Sequence, residues 1–457
     1  MISGSLKEIS MDLQARLLGE DRAFYGVTTD SRKVREGCLY VALRGERFDG
    51  HDFVPAAIDA GAVGCVVERP CGEDSSQLIV QSCRRALGDM ARAWRRRFAL
   101  PLVAVTGSNG KTTVKEMIAS ILGQQHKILA TRGNLNNDIG VPLTLFDLGS
   151  EHQAAVIEMG ANHPGEIDYL AGIALPDVAV VTNAGPAHLE GFGDLPGVAR
   201  AKGELFTRLP LNGTAIINRD DEFYDLWRAL AGERKVLSFG LHSQADIQAR
   251  RESPTESGGE TFILHTPRGE TRVMLGLVGR HNTLNALAAA AACYAEGVDI
   301  PHIVTGLERV VPVAGRLQFL RGLRGALVCD DTYNANPLSL KAALETLSEL
   351  PGPCWLVLGD MGELGPEGEG LHREAGALAR DLGVQRLFGL GQLCAAAVES
   401  FGAGGQHFAR LEDLLAALLP GMSKEHRVLV KGSRSMRMER VVQALVDGAD
   451  HSLKTGN

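Results

Sequence analysis

The feature that most constrains this chain is Val103-Ala-Val-Thr-Gly-Ser-Asn-Gly-Lys-Thr-Thr-Val-Lys-Glu-Met117. An apolar run over Leu102–Val105 reads as a buried strand, followed by a Gly/Ser/Asn turn, Lys111, Thr112 and a helical pattern to Leu122. That is the strand–loop–helix of a P-loop, in which successive backbone N–H groups and a helix N-terminus cradle phosphate oxygens. Thr106, Gly107, Ser108, Asn109, Gly110, Lys111, Thr112 and Thr113 are therefore the nucleotide candidates. Lys111 would neutralise the β- and γ-phosphates, and Thr112 would hold Mg²⁺. The general pattern has one more glycine where Val105 stands, but Gly107 and Gly110 supply the tight turn.

A chain of 457 residues is too long for one core and suggests about three domains. Apolar runs at Leu102–Val105, Ala154–Ile157 and Val178–Val181 alternate with helical patterns, as in a parallel sheet covered on both faces. The expectation is an α/β protein with a small N-terminal α/β domain over residues 1–98. A central P-loop domain of parallel strands follows over 99–312, then a Rossmann-like, doubly wound domain over 313–457. The helix expected near Arg84–Arg97 carries an arginine run, read as a solvated face because no aromatic platform accompanies it. Arg250–Glu260 reads as a loop between strands and His451–Asn457 as a disordered tail.

A net charge of -8 disfavours nucleic-acid binding. No apolar run approaches a membrane span, and the N-terminus lacks a signal-peptide core. The eight cysteines lack metal spacing and read as buried thiols in a reducing cytoplasm.

Further candidates lie after other strands, on the edge where open parallel sheets place their chemistry. Glu158 and His188 are natural Mg²⁺ or phosphate partners. Lys202 is either a solvated helix lysine or a carbamate, a lysine converted by CO₂ into an anionic metal ligand. Asn282 and Asn285 share a helix face and could read a purine edge, although Asn282 could equally be an N-cap. Asp330 and Asp331 follow a strand and suit ribose hydroxyls. Lys431 and Arg434 lie in a basic loop suited to an anion.

These motifs together resemble the Mur ligases, ATP-dependent amide ligases of peptidoglycan precursor synthesis, through nearly the whole chain. The family's own P-loop also lacks the first glycine. The resemblance implies that Thr112, Glu158, His188 and Lys202 hold two Mg²⁺ ions, with Lys202 carbamylated. It implies adenine contacts from Asn282 and Asn285 and a nucleotide contact from Arg316. Thr29, Asp30, Ser31 and Arg32, with Gly45, Phe48, Asp49, Gly50 and His51, look like a UDP-sugar site. Asn134, Asn136 and Asn137, with Tyr333, Asn334, Asn336, Lys431 and Arg434, resemble the member that adds D-alanyl-D-alanine to UDP-N-acetylmuramoyl-tripeptide. An Asn-Pro-Arg run expected of the member that adds the third stem amino acid is absent. A monomeric cytoplasmic enzyme is expected.

Other classes share parts of this pattern. A P-loop motor would end its metal strand in aspartate, whereas Glu158 stands here. A folate or amino-acid ligase would begin at the ATP domain, without the unit holding Thr29–Arg32. A non-enzymatic sugar-nucleotide sensor would not need so complete a metal set.

Overall fold

The computed structural model describes residues 1–72, 75–242, 244–252 and 259–446. Its described strands form three large sheets and a two-stranded ribbon of Ser3–Ser5 with Ala23–Tyr25. The first large sheet has five strands, in the order Arg16–Leu18, Gln77–Ile79, Gly64–Val67, Leu39–Val41 and Val27–Thr28. Its pairs are parallel except at the Arg16–Leu18 edge.

The second sheet has nine strands, and Leu102–Thr106, buried throughout, lies third from one edge. Ala154–Glu158 pairs with that strand on one side and Val178–Val181 on the other, both parallel. The chain goes first to one side and then to the other, so a topological switch point lies at the P-loop. Register puts Glu158 opposite Val105 and Val181 opposite Thr106, so the residues that follow converge at one sheet edge. Two antiparallel strands, Glu260–Thr266 and Gly269–Leu275, extend the far side. Arg251 ends one strand and Glu260 begins the next; residues 253–258 of the expected loop lie outside the described residues, as does the tail His451–Asn457.

The third sheet runs Gln318–Arg321, Leu327–Asp331, Arg427–Lys431, Cys354–Gly359, Val384–Leu390 and Gly405–Phe408. All its pairs are parallel except the first. The edge strands Gln318–Arg321 and Gly405–Phe408 escaped the sequence reading because they carry polar side chains on exposed flanks.

Helix Arg280–Ala295 packs its alanines against the P-loop helix Lys111–Leu122 and the central sheet. Ala286 and Ala288–Ala292 are buried, so small side chains let this helix approach its neighbours closely from several sides. The basic helix, Cys83–Arg95, is more than a solvated face. It buries Leu87, Met90, Ala91 and Trp94 in one cluster with residues of the central unit. Its Arg95 is itself buried, donating to the carbonyls of Ala174 at 3.0 Å and Leu100 at 3.0 Å. The arginine run therefore holds a structural cation, which composition alone does not distinguish from the exposed ones. Seven cysteines are buried and Cys71 is half-buried, all with free thiols. Among the described residues no helix is long and apolar enough to cross a membrane.

Candidate active site

The P-loop turn is built from two glycines that no other residue could replace without strain. Gly107 has φ +142°, and a Cβ there would lie 1.9 Å from Thr182 Oγ1. Gly110 has φ +83°, and a Cβ there would lie 2.3 Å from Asn285 Oδ1. The loop passes close beneath the strand end at Thr182 and against helix Arg280–Ala295. The Asn109 N–H donates to Asn183 Oδ1 at 3.0 Å, and its carbonyl accepts from Thr182 Oγ1 at 2.6 Å. Asn183 was not singled out in the sequence, although its place just past a strand beside the P-loop strand is the signal that finds it.

Lys111 donates to the carbonyls of Gly107 at 2.7 Å and Ser108 at 3.1 Å. Burial, with Arg316 nearby, brings its ammonium down to about 8, although Glu158 opposes the shift. Thr112 Oγ1 donates to Glu158 Oε2 at 2.8 Å and accepts from Arg316 Nη2 at 2.8 Å. Asn136 Nδ2 donates to Glu158 Oε1 at 2.8 Å, and the Glu158 N–H donates to Thr131 Oγ1 at 2.9 Å. A buried carboxylate thus lies against a threonine hydroxyl with its orientation fixed, an oxygen-donor set that suits Mg²⁺.

His188 stands in the left-handed conformation at the start of a short turn and pairs through Nδ1 with Glu363. Glu363 comes from the third sheet's side, and nothing in the sequence connected the two. The imidazole beside it holds the Glu363 carboxyl below its usual range. Lys202 is 2% exposed and donates to Ala161 O at 3.2 Å, with its ammonium 5.1 Å from the Phe192 ring centroid. Burial and the neighbouring Lys111 charge lower it to about 7. An ammonium there would repel a cation.

These groups surround a cavity of about 1320 Å³. Ser108, Asn109, Gly110, Lys111, Thr113, Asn134, Asn136, Asn137, Glu158, His188, Asn282 and Asn285 line its first wall. Arg316, Asp331, Tyr333, Asn334, Asn336 and Lys431 line the opposite wall. Thr106, Gly107, Thr112 and Lys202 are not lining residues; Thr106 bonds Met159 O, and Lys202 lies behind Ala161. Asn282 donates to Val278 O at 2.8 Å and accepts from Asn285 Nδ2 at 3.1 Å.

The two neighbouring acids separate because strand residues alternate faces. Asp331 faces the cavity and takes Lys431 Nζ at 2.6 Å, its register partner on the adjacent parallel strand. Asp330 turns back to accept from the Thr332 hydroxyl at 2.6 Å and does not line the cavity. Arg316 stacks over Tyr333, with 4.1 Å from guanidinium carbon to ring centroid. Its buried Nε has no hydrogen-bond partner among the described residues, which leaves a donor for a ligand. Arg434 pairs with Glu439 and does not line the cavity.

The N-terminal candidates also lie apart from the cavity lining. Asp30 caps the turn Ser31–Lys33 and takes both Arg32 Nε and Nη2 at 2.9 Å, which brings its carboxyl down to about 2. Asp49 caps the turn Gly50–Phe53 and holds His51 Nδ1 at 2.6 Å, while His51 Nε2 accepts from the Glu68 N–H at 2.9 Å. A Cβ on Gly50 would meet Leu43 O at 2.5 Å, so glycine is needed for that close approach. Phe48 packs over Gly45 and stays 59% exposed, as an apolar platform would.

Three Mur ligase domain models match consecutive stretches. Residues 23–95 match the Mur ligase family catalytic domain, 105–293 the Mur ligase middle domain, and 315–434 the Mur ligase glutamate ligase domain. A UDP-N-acetylmuramoyl-tripeptide–D-alanyl-D-alanine ligase of Escherichia coli (strain K12) is 46% identical over 448 residues, covering 97% of this chain and 99% of the relative. A crystal structure of MurF from Acinetobacter baumannii superposes with a TM-score of 0.93 at 37% identity, covering 98% of this chain and 99% of that one. MurF from Thermotoga maritima, in complex with ADP, superposes at 0.82 with 30% identity, covering 92% of this chain and 96% of that one. Matched along three consecutive stretches by the family's models and over 97% of its length by a relative, the chain belongs to the Mur ligase family.

Proposed function

We propose that this chain is an ATP-dependent amide ligase that joins D-alanyl-D-alanine to UDP-N-acetylmuramoyl-tripeptide. The observation that carries the reading is the two-walled cavity, with a P-loop lysine and an oriented carboxylate on one side and the Asp331–Lys431 pair on the other. The acceptor follows from the E. coli relative, whose name states it, over 97% of this chain.

A carboxylate is unreactive toward an amine until one oxygen can leave. The tripeptide's terminal carboxylate oxygen attacks the γ-phosphorus of ATP, the bond to the β-phosphate oxygen breaks, and ADP leaves. The dipeptide amine then attacks the acyl carbon, the C–O bond to phosphate breaks, and the amine's proton is lost. Lys111 and the loop N–H groups stabilise charge on the transferring phosphoryl group. Thr112, Glu158 and His188, with Lys202 as its carbamate, would hold Mg²⁺, which when bound offsets repulsion between the carboxylate and the phosphates. Burial brings the Lys202 ammonium down toward 7, so an appreciable share is the neutral amine to which CO₂ adds.

Asn282 and Asn285 would meet the base, Arg316 the phosphates and Asp331 the ribose. Asp330 would act by shaping that loop. The first unit would bind the UDP-sugar, with Phe48 as a base platform and the turns at Asp30 and Asp49 holding polar groups. We further propose domain boundaries at 98/99 and 312/313, because each large sheet draws its strands from one of those stretches. The enzyme would act as a cytoplasmic monomer.

The test is mass spectrometry after incubation with ATP, UDP-muramoyl-tripeptide and D-Ala-D-Ala. Equimolar ADP, phosphate and UDP-muramoyl-pentapeptide are expected. ATP hydrolysis without amide product would refute the reading.

A further inference from the structure

We infer that Asn336 is a positioning residue for the nucleotide loop, acting through a reciprocal amide pair with Asn109. This rests on the ATP-ligase reading above and adds a role for a residue otherwise assigned to the dipeptide.

The backbone of Asn109 is fixed entirely from the central sheet. Its N–H reaches Asn183, and its carbonyl takes Thr182 Oγ1 at 2.6 Å and Asn183 Nδ2 at 3.2 Å. Its side chain points the other way, across the cavity. Asn109 Nδ2 donates to Asn336 Oδ1 at 3.3 Å, and Asn336 Nδ2 donates back to Asn109 Oδ1 at 2.9 Å. The two residues are 227 positions apart.

Asn336 is also the N-cap of helix Pro337–Ser348. Its Oδ1 accepts from the Ser339 N–H at 2.8 Å, and Ser339 Oγ accepts from the Asn336 N–H at 3.1 Å in return. Serine, threonine or aspartate would cap this helix about as well. None of them carries the N–H that Asn109 Oδ1 receives. The amide is therefore demanded by the contact to the P-loop and not by the helix.

The consequence is mechanical. Asn109 lies between Ser108 and Gly110 in the loop that faces the phosphates, and its neighbour Gly110 carries the left-handed turn. A loop held at its side chain as well as its backbone presents its N–H groups without reorganising during phosphoryl transfer. Only with the third sheet's wall docked is that hold complete. Arg316, reaching Thr112 at 2.8 Å, acts in the same direction one turn further on.

The experiment is a double-mutant cycle on the full chain with Asn336→Ser, Asn109→Ser and the pair. Serine keeps the helix cap at 336 but cannot reach the loop. Each single variant is expected to lower kcat about five- to tenfold, with KM for D-Ala-D-Ala within about twofold of wild type. The double variant should be no more than about twofold below the worse single one, as coupled residues require. Multiplying effects, unchanged kcat, or a dipeptide KM that rises at constant kcat would overturn the assignment; the last would return Asn336 to the substrate. Thermal melts check folding, and Asn109→Ser, which lies outside any helix, keeps the test open if the cap variant unfolds. A wild-type chain that makes no pentapeptide would instead sink the ligase reading itself.

Discussion

The two walls of the cavity are built in different ways. The P-loop wall is made of backbone: glycines at positive φ, N–H groups at a helix start, and a lysine held by its own loop's carbonyls. The opposite wall is made of side-chain pairs, Asp331 with Lys431 and Arg316 with Tyr333, brought together from separate strands and loops. A backbone site leaves its trace in local sequence because only glycine fits the turn. A paired site offers its members after strands, as Asp331 and Lys431 were, but not the pairing, which waits on the sheet register. The same difference governs what mutation does: on the first wall chemistry should fail while the fold stands, and on the second the fold should suffer.

Lys111→Ala is the largest expected effect. It should lower kcat about a thousandfold, ~4 kcal/mol of transition-state stabilisation. The melting temperature should stay level or rise slightly, since a desolvated ammonium is removed. A variant keeping more than about a tenth of wild-type kcat, a loss under ~1.4 kcal/mol, would contradict the assigned role.

Lys431→Met reverses that pattern. Lys431 is 1% exposed and bonds Asp331 and Asn334 O, so its loss strands a largely buried carboxylate. A stability loss of about 3 kcal/mol is expected from chemical denaturation. Adding Asp331→Asn should restore at least half, because the stranded charge goes with it. If the double variant is as unstable as the single one, the pair does not organise this wall.

Lys202 belongs to the first wall's surroundings but carries a charge cost of its own. Its folded value near 7 lies below the ordinary 10.5 of an unfolded chain. Between those values the unfolded chain binds more protons, so stability should rise with pH across that window. The destabilising contribution is complete below about 7 and vanishes above about 10.5. Without CO₂, urea midpoints from pH 7 to 9 should climb by an amount equivalent to about 2 kcal/mol more in wild type than in Lys202→Met. Parallel curves would mean that Lys202 is not held as a desolvated ammonium.

Legibility followed the same division. The strand Val178–Val181 and the P-loop helix were readable because apolar runs and glycines are local signals. Glu158 was readable as the residue that closes a strand and His188 from its place after one. Asn282 and Asn285 were readable from their shared helix face, whereas the resemblance to a family supplied Arg316, whose role depends on contacts between distant parts of the chain. Nothing marked Arg95 as the buried member of an arginine run, or Asp331 rather than Asp330 as the cavity acid. Both follow from which face of an element meets a neighbour, and that is decided by the assembled sheets. Glu363 was invisible for the same reason, since its partner lies on another sheet's loop.

Glu363→Gln is the smallest expected effect and bears on both walls at once. Glu363 reaches His188 from the third sheet's side, and the backbone nearby also meets, with Gly365 lying close against Glu190. Glutamine keeps the size but removes the charge that lies against the imidazole. A carboxylate partner typically fixes a histidine's tautomer and strengthens its hold on a cation. About 1 kcal/mol is at stake, because Glu363 is more than half exposed and water screens the pair. The expected result is a several-fold rise in the Mg²⁺ concentration giving half-maximal ligation, with KM for D-Ala-D-Ala unchanged. An unaltered Mg²⁺ profile would show that Glu363 merely docks the third sheet's loop, leaving His188 oriented from its own side of the cavity.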